Sequence, residues 1–235
     1  GVLELAGGNT QKIKFYKHNA QENSLSHNTV FSVLKDRKGR LWVASFGGGV
    51  CVKIKPDGTE SFRTFFIDDE WIKFVRIIFE DKSGNIWIGT TNGIIRFNPD
   101  ELLKNSSAYK YYTFSPLDEN GLSNPEVRYF FQDSKGKIWL ATTGGGLNSF
   151  EGETADGKGI FKIYNHKNGL ANDNIMAIQE DNDGNLWFST ENGMQKLNRQ
   201  NNSIQYFRFS DDLSSNIFSE TTGLLTSNVK MIRET

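Results

Sequence analysis

The sequence predicts an all-β fold built from four-stranded repeats, and two observations carry this prediction. Four tryptophans recur at intervals of 45, 52 and 48 residues, namely Trp42, Trp87, Trp139 and Trp187. Each of them lies in the same local pattern, Asp-x-x-Gly-x-Leu/Ile-Trp, which is followed by one apolar residue and then by small residues. Four short strands in a period of roughly 40–50 residues are typical of a propeller blade. We therefore predict a β-propeller.

Each repeat divides into four strands. The Asp-x-x-Gly segment predicts a hairpin turn, because Asp accepts hydrogen bonds from its own downstream backbone and Gly adopts a positive φ. One strand precedes this turn and the tryptophan strand follows it. A glycine turn then leads to a third, apolar strand and a fourth, aromatic strand. Whole blades are predicted at residues 25–67, 70–115, 122–165 and 170–210.

The two ends of the chain match complementary parts of a blade. Residues 1–18 match the third and fourth strands, and residues 213–235 match the first two. This predicts a single propeller domain over residues 1–235 with about five blade equivalents. A composite blade formed by both ends would close the ring and protect the exposed sheet edges. The alternative is an open arc from a larger propeller.

Composition and charge narrow the functional classes. The chain has 27 Lys and Arg against 28 Asp and Glu, for a net charge of −1. It has no basic surplus to neutralise phosphates, so nucleic acid is not an expected partner. No apolar run approaches the ~20 residues of a membrane span, and the first residues do not form a signal peptide. The one cysteine, Cys51, lies between two valines and is predicted to be a buried, unreactive thiol.

The repeat resembles the two-component regulator propeller repeat. The resemblance lies in Leu-Ser/Ala-Asn before the first strand, in Asp-x-x-Gly-x-Leu/Ile-Trp-Ile-Gly-Thr, and in the Asn-Gly-Ile that follows. Such repeats form the periplasmic sensor region of hybrid two-component systems, notably in gut Bacteroidetes, ahead of an immunoglobulin-like domain, a membrane span and a histidine kinase.

The resemblance implies a periplasmic, non-catalytic sensor propeller within a longer chain, whose other domains would be its partners. The implied ligand is a carbohydrate or a related small molecule. Two departures affect this expectation. Propellers of this family usually have more than five blades, and in the last unit Val229 and Ile232 replace the turn glycine and the tryptophan.

The predicted ligand site is the face formed by the loops before the first strands and the loops between the second and third strands. Residues there differ between blades while the scaffold repeats, which predicts one asymmetric site. Arg, Asn and aromatic side chains suit a hydroxyl-rich or acidic sugar. The candidate ligand-binding residues are His27, Asn28, Phe46, Trp71, Arg76, Asn124, Arg128, Thr143, Asn172 and Glu191. The same alignment assigns Ile72 to the loop position that His27, Asn124 and Asn172 occupy in the other blades.

No metal or cofactor site is predicted. The segment Asp181-x-Asp183-x-Asn185 begins like a calcium loop, but Leu186 and Asn192 occupy the positions that need Gly and Glu. The three histidines are scattered, and a single cysteine does not complete a zinc site.

Three functional classes stay open at this point. A propeller enzyme, either a glycan hydrolase or a streptogramin-lyase-like protein, would need an acid and a base on one face, and Glu126, Asp173 and Glu191 are the candidates. A propeller lectin would repeat its contact residues in every blade, whereas here only the scaffold repeats. A sensor propeller agrees best with the repeat, and a homodimer is left open.

Overall fold

The computed structural model describes residues 1–6, 12–19, 24–55 and 58–207. The chain divides into two compact units, an N-terminal unit of residues 1–110 and a C-terminal unit of residues 111–235. The described strands form four four-stranded antiparallel sheets and one two-stranded sheet. This confirms the all-β fold of four-stranded blades.

The N-terminal unit begins with a two-stranded sheet, β1 (Val2–Ala6) and β2 (Lys12–Tyr16). Blade 1 follows, with the strands β3 (Val30–Lys35), β4 (Leu41–Ser45), β5 (Gly49–Ile54) and β6 (Ser61–Phe65). Blade 2 consists of β7 (Val75–Glu80), β8 (Ile86–Thr90), β9 (Gly93–Phe97) and β10 (Lys110–Tyr112). The boundary between the two units falls within β10.

The C-terminal unit contains two further blades. Blade 3 consists of β11 (Val127–Gln132), β12 (Ile138–Thr142), β13 (Gly146–Glu153) and β14 (Gly159–Tyr164). A short 3₁₀ turn, His166–Asn168, leads to the next blade. Blade 4 consists of β15 (Ile175–Glu180), β16 (Leu186–Thr190), β17 (Gly193–Leu197) and β18 (Ile204–Phe207).

The first hairpin of every blade is fixed by the repeated aspartate. In blade 1, Asp36 Oδ1 accepts hydrogen bonds from the backbone N–H groups of Lys38 (3.0 Å) and Arg40 (2.9 Å). Gly39 has a φ of +79°, which favours glycine. The predicted turn chemistry is therefore confirmed. The second carboxylate oxygen, Oδ2, accepts the indole N–H of Trp42 at 2.9 Å.

The same aspartate–tryptophan bond recurs in the other three blades. It joins Asp81 to Trp87, Asp133 to Trp139 and Asp181 to Trp187 at 2.8–2.9 Å. A buried indole N–H needs an acceptor, and this bond provides one in each blade. We name this hairpin, with its carboxylate and indole, the Asp–Trp turn. The aspartate therefore has two roles, because it shapes the turn and also fixes the core tryptophan.

Adjacent blades within each unit pack through these strands. In the N-terminal unit, the backbone N–H of Arg37 donates to Glu80 at 3.1 Å. In the C-terminal unit, the equivalent N–H of Ser134 donates to Glu180 at 2.6 Å. The Asp–Trp turn of one blade is thus bonded to the first strand of the next. The predicted burial of Cys51 is also confirmed, and this burial raises the pKa of its thiol.

The two-stranded sheet attaches to blade 1 through both apolar and charged contacts. Val2 and Tyr16 pack against the apolar cluster of blade 1. Lys53 of β5 lies 2.9 Å from Glu4 and 3.2 Å from Glu60, and its ammonium also donates to the Tyr16 hydroxyl at 2.7 Å. The pKa of Glu60 is lowered to about 2, mainly by the hydrogen bond from Lys14 and further by the hydrogen bond and the charge of Lys53.

Blade 2 differs from the prediction at its outer edge. The fourth strand of blade 2 is limited to Lys110–Tyr112, and a helix that was not predicted, α1 (Pro99–Lys104), precedes it. The side chain of Asn98 caps this helix by accepting the N–H groups of Asp100 and Glu101. The predicted half blade 213–235 and the last residues of blade 4, 208–210, lie outside the described residues. Closure by a composite blade stays a prediction.

Candidate ligand-binding site

The two loops at the predicted binding end of a blade are joined by one backbone bond in blades 1 to 3. The residue directly before the first strand accepts a hydrogen bond from the residue directly after the second strand. These bonds run from Phe46 to Thr29 (2.9 Å), from Thr91 to Phe74 (3.1 Å) and from Thr143 to Glu126 (3.0 Å). The loops that the repeat alignment grouped together are therefore adjacent in space within each of these blades.

In the N-terminal unit, Arg76 lies at the centre of an aromatic group. Its guanidinium is 5.4 Å from the ring centroid of Phe31 and 5.0 Å from that of Phe46. The ring of Phe74 lies 5.0 Å from the ring of Phe46. Phe31 is 49% exposed. The structure thus places Phe46 and Arg76, from different blades, in one partly exposed cation–π group, the Arg76 cluster.

Trp71 and its neighbour Ile72 have opposite environments. The Trp71 side chain is 69% exposed, whereas Ile72 is fully buried. The alignment of Ile72 with the loop position of His27 was therefore wrong. Ile72 fills the core position that Leu25, Leu122 and Leu170 fill in the other blades. The loop between this core position and the first strand is two residues shorter in blade 2, and an alignment without gaps missed the deletion.

His27 and Asn28 make local contacts in the structure. The His27 Nδ1 atom accepts the backbone N–H of Thr29 at 3.1 Å. The side chain of Asn28 accepts the backbone N–H of His18 at 2.8 Å, and His18 lies two residues after the end of β2. Asn28 therefore holds this sheet to the loop of blade 1, which gives it a scaffold role beside the predicted ligand contact.

In the C-terminal unit, Arg128 and Asn124 both converge on Glu126. The Asn124 side chain accepts the backbone N–H of Glu126 at 3.0 Å. The guanidinium of Arg128 donates to the Glu126 carboxylate at 3.2 Å. Thr143 is half-buried and donates its backbone N–H to the Glu126 carbonyl. The structure therefore brings together Asn124, Arg128 and Thr143, with Glu126 as their common partner.

Asn172 and Glu191 are linked through Asn174 at the corresponding end of blade 4. Asn172 accepts the backbone N–H of Asn174 at 2.7 Å. The side-chain amide of Asn174 donates to Glu191 at 2.9 Å. Beside them, the Asp173 carboxylate accepts the backbone N–H of His166 at 2.7 Å and also contacts its imidazole. Each acidic candidate for acid–base chemistry in this unit thus has a polar partner.

Sequence reasoning missed Phe74 and Asn174. Both occupy the position directly before the first strand, where blades 1 and 3 have Thr29 and Glu126. The position differs in every blade, as the other site positions do. Aligning the loops backwards from the first residue of the strand would have found it.

The predicted turn chemistry of residues 181–185 is also confirmed. Asp181 accepts the indole N–H of Trp187 and the amide of Asn185, and Lys196 lies 3.2 Å from the same carboxylate. Burial alone would raise the pKa of Asp181, but these hydrogen bonds outweigh it and lower the pKa to about 2. Across the described ranges, no group of three His, Cys, Asp or Glu side chains is arranged to hold a metal ion. No helix in the same ranges is long and apolar enough to cross a membrane.

Comparison with known families agrees with the repeat pattern. Four segments match the two component regulator propeller family, at residues 24–47, 72–92, 121–144 and 169–192. This chain carries two-component regulator propeller repeats. Each matched segment runs from the loop before the first strand to the end of the second strand or just past it. The match therefore covers both the Asp–Trp turn and the candidate binding loops. No curated protein matches the chain.

Solved propeller structures share the fold at low sequence identity. The extracellular domain of BT4673 from B. thetaiotaomicron, described as a hybrid two-component system, is 20% identical with a TM-score of 0.63 over 89% of this chain. PorZ, a surface component of the type-IX secretion system of Porphyromonas gingivalis, is 14% identical with a TM-score of 0.64 over 85%. Virginiamycin B lyase from Staphylococcus aureus is 17% identical with a TM-score of 0.53 over 88%. This chain spans 34%, 31% and 59% of their respective lengths.

Proposed function

We propose that this chain is part of the extracytoplasmic ligand-sensing propeller of a hybrid two-component histidine kinase. The repeat family and the similarity to an extracellular sensor domain support this proposal. The other domains of the sensor chain would be its partners, and the periplasm would be its location. The complete gene tests this directly. A downstream membrane span and kinase domain are expected, and a secreted chain with neither would contradict the proposal.

The observation that carries the ligand-binding role is the contrast between repeated and variable residues. The Asp–Trp turn is the same in four blades, while the loops at the other end of the strands carry different side chains in each blade. A lectin with one site per blade would repeat its contact residues, so we favour ligand contacts that differ from blade to blade. Within the N-terminal unit, the Arg76 cluster offers a cation and aromatic rings to a ligand.

We further propose that the ligand is a carbohydrate or a related small molecule and that the propeller does not catalyse a reaction. In the C-terminal unit, asparagine, arginine and carboxylate groups lie close together and can bond hydroxyl groups. The acidic residues that could serve as acid or base are each bonded to another side chain, as with Glu126 and Arg128. Such pairing favours binding over proton transfer, since a general base must be able to reach its substrate.

A thermal-shift screen against plant and host oligosaccharides tests this role. A ligand that binds the folded state raises the melting temperature by mass action. We expect Arg76→Ala to remove the shift of a ligand bound in the N-terminal unit, and Arg128→Ala to remove that of a ligand bound in the C-terminal unit. Arg63→Ala is the matched control, because Arg63 bonds Leu103 and Ser106 at the outer edge of blade 1 and should keep the shift. If both site variants retain the full shift, the proposed binding face is wrong.

A further inference from the structure

We propose that the outer edge of blade 3 carries a second ligand site, a groove that binds a neutral sugar. The groove has a volume of about 750 Å³ and lies entirely within the C-terminal unit. It lies between the hairpin that joins β13 to β14 and the segment of residues 111–120. Its volume is within the roughly 300–1,000 Å³ that is usual for small-molecule sites. We name it the outer groove.

The hairpin that forms one wall extends past the end of the neighbouring strand β12. Strand β13 has eight residues, whereas the neighbouring β12 has five. Segment 111–120 is held beside the extended part by two bonds. The backbone N–H of Phe161 donates to the Asn120 carbonyl at 2.7 Å, and the Tyr112 hydroxyl donates to Glu153 at 2.6 Å. Both walls of the outer groove are therefore fixed to each other.

The groove is lined at its base by two aromatic residues, and Gly159 packs directly against their rings. Tyr112 and Phe161 are buried, with their ring centroids 6.3 Å apart in an edge-on arrangement. A Cβ atom on Gly159 would lie 2.6 Å from the Phe161 ring and 2.9 Å from the Tyr112 ring. Gly159 is therefore required for the packing of these rings at the base of the groove. At the rim, Leu117 is 93% exposed, which leaves an apolar surface beside the opening.

The polar groups of the rim favour an uncharged, hydroxyl-rich ligand. Asp118 and Asp156 both line the groove, and Lys158 pairs with Asp156 at 3.3 Å. These three side chains leave one net negative charge, which disfavours a carboxylate or sulfate group. Carboxylates form strong, charge-assisted hydrogen bonds with hydroxyl donors. The exposed Leu117 side chain can contact the C–H face of a sugar ring while the acids bond its hydroxyls.

Isothermal titration calorimetry with cellobiose, maltose, lactose and xylobiose tests the outer groove. We expect at least one of these neutral disaccharides to bind. The double variant Asp118→Asn with Asp156→Asn keeps the side-chain shapes and should weaken binding about tenfold, as the loss of charge-assisted bonds predicts. Thr113→Trp should abolish binding by filling the groove. Asp183→Asn, in the exposed turn of blade 4, is the matched control and should bind as the wild type does.

Several outcomes would overturn this site. They are the failure of all four disaccharides to bind, unchanged binding by both groove variants, or equally tight binding of digalacturonic acid. A circular dichroism melt checks that Thr113→Trp folds, and if it does not, the double variant alone decides. The proposed function is tested separately. Loss of disaccharide binding in Arg76→Ala but not in Thr113→Trp would support the loop site and reject the outer groove.

Discussion

The two ends of the first strand of each blade follow different rules. At one end, the Asp–Trp turn has the same aspartate, glycine and tryptophan and the same 2.8–2.9 Å bond in all four blades. At the other end, the position directly before the strand holds Thr29, Phe74, Glu126 or Asn174. Its backbone carbonyl makes the same bond in blades 1 to 3 whatever the side chain is. Main-chain bonding therefore maintains the loop, which leaves the side chains free to vary.

The Asp–Trp turns differ in which residue supplies the positive charge beside the aspartate. Arg40 from the same hairpin contacts Asp36 at 2.6 Å, whereas Arg199 from the turn between β17 and β18 of blade 4 contacts Asp133 of blade 3 at 2.8 Å. In blade 4, Lys196 contacts Asp181. A largely buried carboxylate needs a cation or several hydrogen-bond donors, but any neighbouring element can provide them. The Asp–Trp turn is thus conserved between blades in its hydrogen bonds and not in its ion pairs.

The largest effect is expected from Asp133→Ala. The Asp133 side chain is fully buried and bonds Trp139, Lys137 and Arg199. Its removal leaves a buried indole N–H and a largely buried guanidinium without this partner. We expect the free energy of unfolding to fall by about 3–5 kcal/mol, measured by urea denaturation. Asp183→Ala, at an exposed turn position, is the control and should change it by less than about 0.5 kcal/mol. Similar losses in both variants would contradict the role of the Asp–Trp turn.

The next effect compares two glycines. At one there is no room for a Cβ atom, and at the other only the positive φ favours glycine. Gly146 and Gly157 have φ values of +81° and +84°. A Cβ on Gly146 would lie 2.2 Å from the Tyr164 carbonyl oxygen, whereas one on Gly157 meets nothing within 4 Å. We expect Gly157→Ala to cost about 1 kcal/mol from backbone strain alone. Gly146→Ala should cost clearly more, about 3 kcal/mol. Chemical denaturation of the two variants measures this, and equal costs would show that the loop beside Gly146 relaxes freely.

These two comparisons also show what the sequence could predict. The period of the tryptophans and the Asp-x-x-Gly turn predicted the hairpins because both are local and repeat four times. The bond from Asp133 to Arg199 joins two blades, and no local pattern indicates it. The Arg76 cluster likewise depends on Phe31 and Phe46 of blade 1 meeting Arg76 of blade 2. The burial of Ile72 was missed because a two-residue deletion shifts the loop against its neighbours.

An intermediate effect concerns acid stability at the Asp–Trp turn of blade 4. The pKa of Asp181 is about 2 in the folded chain, against 3.8 for an ordinary aspartate. A lowered folded-state pKa stabilises the fold above the ordinary value, and this contribution is lost as the pH falls from about 4 to about 2. It amounts to about 2 kcal/mol. Urea denaturation at pH 6, 4 and 2.5 should show that Asp181→Asn removes part of the acid dependence. An unchanged pH profile would reject this assignment.

The smallest effect on stability is expected at the variable end, from Trp71→Ala. Trp71 is 69% exposed, so the substitution removes little buried surface. We expect the free energy of unfolding to change by less than about 0.5 kcal/mol, which a thermal melt would register as less than about 2 °C. Trp42→Ala, which deletes a buried tryptophan of the repeated turn, provides the opposite case at about 3–5 kcal/mol. A large loss of stability in Trp71→Ala would place this indole in the scaffold, and the contrast between the two ends of the blade would then not extend to blade 2.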